Sequence, residues 1–115
     1  MAADDMVRRF ADHVGIPLRP ASVALASGAR VLVDGASAEE SLFVAAHAGA
    51  GPLRHLDLVL VVQDVFTLAL LRSERPKARA VVLVNDASVR EEVAARIART
   101  PAAGLVEIVE FATLP

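Results

Sequence analysis

Residues 53–72 are apolar on nearly every side, and the run holds no Gly, Pro or Asn. A helix of that kind must be covered all round, by a sheet on one face and by something else on the other. The run therefore points to a layered domain with a sheet behind a central helix. A second reading stays open. Leu58-Val59-Leu60-Val61-Val62 can also be a buried strand, with a short helix from Asp64 to Arg72. Periodicity does not separate the two in so short a stretch. The lack of any turn residue favours the helix. A membrane span is not expected, because Leu56 to Leu71 contains Asp57, Gln63 and Asp64. Carboxylates at membrane depth are costly, and a span needs roughly 20 apolar residues.

The flanking sequence supplies the sheet. Residues 4–14 place Met6, Val7, Phe10 and Val14 at helical spacing, with Asp4 and Asp5 at the positive end of the helix dipole. Gly15 and Pro17 end that helix, and Pro17 and Pro20 make a stiff connector. Residues 22–27, 29–34 and 41–48 read as three strands of an antiparallel meander, with Ser27-Gly28 and Asp34-Gly35 as turns. Residues 80–84 are a buried strand. Ser88-Val89-Arg90-Glu91 fits a capping box opening a helix to about Arg99. Residues 105–111 form a last strand. The expected fold is α/β: an αβββαβ core plus a C-terminal helix and strand, around a mixed sheet with helices on its faces.

With 115 residues, the chain is expected to form one domain, residues 1–115. It has no cysteine, so disulfide scaffolds, thiolate zinc sites and cysteine nucleophiles are excluded. The net charge of −2 gives no overall basic field; nucleic acid is a conceivable partner that charge does not indicate. Trp and Tyr are absent, and the four Phe residues (Phe10, Phe43, Phe66, Phe111) read as core. The acidic N-terminus lacks an apolar signal region, so a cytoplasmic protein is expected.

Several residues have a plain reading beside a functional one. Asp34 before Gly35 is a turn residue or a metal ligand. Asp64, on an apolar helix, needs an Arg partner or solvent, or belongs to a site. His47 is a packed or hydrogen-bonded histidine, or a ligand. His13 and His55 read as rim residues. Gly49-Ala50-Gly51 is a flexible turn rather than a phosphate cradle, since it lacks the rest of a dinucleotide fingerprint or P-loop. Arg8-Arg9 and the Arg72, Arg75, Lys77, Arg79 group read as solvated charge or as phosphate contacts. No Gly-x-Ser-x-Gly elbow is present.

The stretch GIPLRPASVALASGARVLVDG, with its GxPLRP and SGARVxVDG segments, and the later GPLR resemble a group of small, mostly actinobacterial, uncharacterised bacterial proteins. That group is associated with the PD-(D/E)XK, or restriction-endonuclease-like, superfamily, and the resemblance spans roughly residues 10–85. It implies a metal ion, Mg²⁺ or Mn²⁺, held by an Asp on the second strand and an acid on the third. A lysine near the third strand or on the next helix would orient the attacking water. Asp34 stands at the second-strand position. Relatives carry Val-Glu-Ala on the third strand, where this chain has Val44-Ala45-Ala46. Relatives resemble Asp-Ala-Leu-Lys-Leu on the helix, where this chain has Asp64-Val65-Phe66-Thr67-Leu68. Asp64 survives and Thr67 replaces the lysine. Lys77 is the one lysine, in a loop beyond that helix.

The resemblance thus implies a nuclease-like fold with a degenerate site, of which Asp34 and Asp64 are remnants. The expectation is a pseudo-nuclease that has lost hydrolysis and acts as a binding module. It would form a homodimer, or meet a protein partner, through the apolar helix 53–72. One alternative is an active Mg²⁺- or Mn²⁺-dependent nuclease with a rearranged site of Asp34, Asp64 and Glu39 or Glu40. Another is a Rossmann-like ligand-binding domain with residues 58–62 as a strand, and with Asp64, Asn85 and Asp86 at strand ends.

Overall fold

A computed structural model describes residues 2–48 and 55–111, with only the backbone of His55 and Leu56. Helix α1 (Ala3–Val14) buries Met6, Val7 and Phe10, and Gly15 closes it at φ 72° with its N–H on the Ala11 carbonyl, 2.9 Å away. A left-handed residue at that place is what glycine allows without strain. Strands β1 (Arg19–Ala24), β2 (Arg30–Ala36) and β3 (Leu42–Ala46) follow. Then come α2 (His55–Glu74), β4 (Arg79–Val84), α3 (Ala87–Ile97), a 3₁₀ turn (Pro101–Gly104) and β5 (Glu107–Glu110).

The five strands form one sheet in chain order. β1–β2 and β2–β3 are antiparallel; β3–β4 and β4–β5 are parallel. The expected α/β domain with a mixed sheet and an antiparallel first half is therefore present. Helices cover both faces. Phe43, Ala45, Val82 and Val84 pack with Val61, Val65 and Leu68 of α2 and Val93 of α3. Leu42, Val44, Val81 and Leu83 pack with Met6 and Phe10 of α1 and with Phe111. β3 and β4 are thus buried on both faces, which is why they read as unbroken apolar runs. At the start of β4, Arg79 donates through Nε and Nη2 to both carboxylate oxygens of Glu107, each at 3.0 Å. That hydrogen bond raises the guanidinium above its ordinary range.

Several expectations need correction. Residues 58–62 are helical, so the strand reading and the Rossmann-like arrangement built on it fall. β1 occupies 19–24 rather than 22–27, because the Gly28 N–H bonds to the Leu25 carbonyl at 2.9 Å and turns the chain early. Pro20 sits inside β1, which is tolerated because β1 is an edge strand. β3 ends at Ala46 rather than 48, and α2 runs on to Glu74. Asp86, not Ser88, caps α3, its carboxylate accepting the Val89 N–H at 3.0 Å. Phe66 is no core residue: with Val59, Leu60 and Leu70 it lies on the outer, exposed side of α2. Among the described residues, no helix is long and apolar enough to cross a membrane. The Gly49-Ala50-Gly51 turn and the GPLR segment lie outside the described residues.

Candidate functional site at the carboxyl end of β3

Val33 and Ala36 of β2 both belong to the core under α2. Strict alternation would put only one residue between two positions on the same face. Here there are two, Asp34 and Gly35, and the β1–β2 register slips between Arg19 and Ala21. The slip turns both residues toward α1. A Cβ on Gly35 would lie 2.8 Å from Val7 Cγ1 and 3.2 Å from the Leu18 Cβ, so α1 sits where only glycine fits. Asp34 borders a groove with Asp4, Val7 and Arg8 of α1. Its Oδ2 accepts the Ala46 N–H at 2.8 Å. The regular β2–β3 pairing reaches only Gly35 opposite Val44, and the carboxylate takes the place of the next main-chain acceptor.

On the other face, His47 follows β3 and keeps its N–H on the Leu83 carbonyl at 2.9 Å. Its ring Nε2 lies 2.7 Å from Asp64 Oδ2, on α2. A carboxylate oxygen accepts, so in the neutral tautomer that donates from Nε2 to Asp64 the Nδ1 atom is an acceptor. Of the expected Arg partner or solvent, Asp64 has the solvent, and its side-chain partner is this histidine rather than an arginine. The pair is partly exposed, 23% for the His47 side chain and 41% for Asp64. The contact fixes the orientation of the imidazole.

The remaining candidates are spread along the strand. Ala45 faces the α2 core and is 5% exposed. The Thr67 hydroxyl donates to the Gln63 carbonyl at 2.9 Å, inside its own helix. Glu40 pairs with Arg75 at 2.9 Å in the region before β3, and Glu39 and Lys77 line a shallow hollow there with Arg75. That is the amino end of β3, roughly 13 Å from Ala46 at about 3.3 Å per residue.

Asp34 and Asp64 therefore approach the end of β3 from opposite faces of the sheet, each with its own hydrogen-bond partner. Glu39 and Glu40 are at the other end. Among the described residues, no group of three or more His, Asp or Glu side chains could hold a metal ion. A hard divalent cation needs converging oxygen donors, and this donor set does not fit one. Sequence reasoning found Asp34, His47 and Asp64 singly. It missed the His47–Asp64 pairing, because nothing in the sequence of a strand end and a helix 17 residues apart fixes their register.

Comparisons with models of protein families, with curated proteins and with solved structures give no match to this chain.

Proposed function

We propose that this chain is a restriction-endonuclease-like fold that has lost phosphodiester hydrolysis and works by binding. One observation carries the reading. The carboxylate at the second-strand position, Asp34, is engaged by the Ala46 amide, while position 45 offers a methyl group facing a closed core. The order of helix, antiparallel three-strand meander, helix and parallel strand agrees with the αβββαβ core that the resemblance implies. Asp64 is held by His47, and Thr67 brings no cation where a lysine would stand.

Binding is assigned to the outer side of α2, where Val59, Leu60, Phe66 and Leu70 are exposed. A cluster of large apolar side chains on one helix face fits a protein interface, with a second copy of the chain or with another protein. A Mn²⁺ titration by calorimetry tests the reading, because metal binding needs no knowledge of a substrate. No stoichiometric heat is expected, from the native chain or from Asp34→Ala. Stoichiometric binding that Asp34→Ala abolishes would restore the alternative of an active nuclease.

A further inference from the structure

A hollow of about 670 Å³ lies between the β1–β2 hairpin, the β2–β3 turn and the end of α2. Its lining is unlike the rest of this acidic chain. Arg19, Arg30 and Arg75 contribute three guanidinium groups, and Glu40 is the one carboxylate among its lining residues. The volume is in the range of small-molecule sites, and the charge is opposite to the chain's net −2.

The guanidiniums are positioned rather than free to sweep. Arg30 donates from Nε to Ser22 Oγ and from Nη2 to the Ser22 carbonyl, both at 2.7 Å. Arg75 donates to Glu40 at 3.0 Å and to the Ala24 carbonyl at 3.1 Å, and stands 5.7 Å from the Phe43 ring centre. Each group has five N–H donors, so both keep donors to spare. Arg19 has no ion pair or hydrogen-bond partner for its guanidinium among the described residues, its backbone alone pairing with β2 opposite Ala36. It sits in the Pro-Leu-Arg-Pro segment, whose proline rings fix the backbone on either side of Leu18-Arg19. Planar guanidinium forks match carboxylate and phosphate oxygens in pairs. Among the described residues no aromatic side chain lines the hollow, so it offers no aromatic platform for a nucleobase.

We infer that this hollow binds a small organic polyanion bearing two or more phosphate or carboxylate groups, with Arg19 as its open contact. The site is separate from the end of β3, and the fate of the metal test does not bear on it.

Calorimetry at low salt tests it, with inorganic pyrophosphate and citrate as probes. The proteins are the native chain, Arg19→Gln, and Arg8→Gln as a control outside the hollow. Arg19 is exposed and holds nothing else in place, so its variant is expected to fold. One-to-one binding of a probe is expected, weakened about tenfold by Arg19→Gln and unchanged by Arg8→Gln. Pyrophosphate alone names phosphate, citrate alone names carboxylate, and either supports the site. No binding of either probe at millimolar concentration overturns it, as does binding that Arg8→Gln weakens equally. Arg19-dependent retention of a DNA duplex with neither probe bound also overturns it, in favour of a nucleic-acid backbone.

Discussion

Asp34 and Gly35 look like a turn in the sequence and are instead the place where β2 slips register. An Asp-Gly pair signals a reversal wherever alternation stops, and a one-residue slip interrupts alternation just as a turn does. The consequence is measurable at both residues. Asp34→Ala leaves the Ala46 amide without its acceptor, and urea unfolding should show a loss of about 1–3 kcal/mol. Asp34→Asn keeps a side-chain oxygen and should recover most of it. A ligand role alone would predict no such rescue and no stability loss. Gly35→Ala drives a methyl group to 2.8 Å from Val7 Cγ1. The loss there should be roughly 1–3 kcal/mol, relieved in part by Val7→Ala in the same background. His47 was legible as a hydrogen-bonded histidine, but its partner was not, since their contact depends on how α2 lies across the sheet.

At the scale of elements, the sequence is most legible where composition is most one-sided. β4 is recognisable from its run of buried β-branched residues, whereas the run of α2 is legible as a buried element and only its lack of a turn residue favours the helix that the structure shows. The cap of α3 is less legible, because Asp86 and Ser88 are both competent N-caps, and Glu91 completes a capping-box pattern with Ser88. The structure places the Asp86 carboxylate on the Val89 N–H. Asp86→Ala should therefore cost about 1 kcal/mol in thermal or urea unfolding, and Ser88→Ala should stay within about 0.5 kcal/mol of native. The opposite ranking would return the cap to Ser88. The outer side of α2 is an element-scale feature too. Phe66 and Leu70 line a hollow of about 370 Å³ with Pro101, Ala102 and Leu105, so the exposed stripe continues onto the 3₁₀ turn. Leu70→Glu removes apolar surface without touching the core, Leu70 being 56% exposed. Sedimentation of the native chain and this variant should show self-association, or capture of a purified candidate partner, lost with the folding transition unchanged. An unchanged sedimentation profile for a native dimer would place the interface elsewhere.

Over the whole molecule, the alanine at position 45 and the packing of the sheet go together. Position 45 is held between β3 and α2 in a core that includes Val61, Val65 and Leu68. A glutamate placed there is not a free ligand, because its carboxylate would enter apolar surroundings at the face away from Asp34. Ala45→Glu with Thr67→Lys should therefore destabilise the fold, by about 2–4 kcal/mol, through the burial of a charge with no built partner. Thermal unfolding with and without Mn²⁺ reads the outcome. In a nuclease-like site that lacks only these two groups, the metal would neutralise the new acid and return the lost stability by mass action. In this fold, β3 separates the new acid from Asp34, and Mn²⁺ should leave the lowered melting temperature where it is. Recovery of the native melting temperature in Mn²⁺, abolished again by Asp34→Ala, would mean that the two faces of β3 can share a cation and that the site is dormant rather than dismantled.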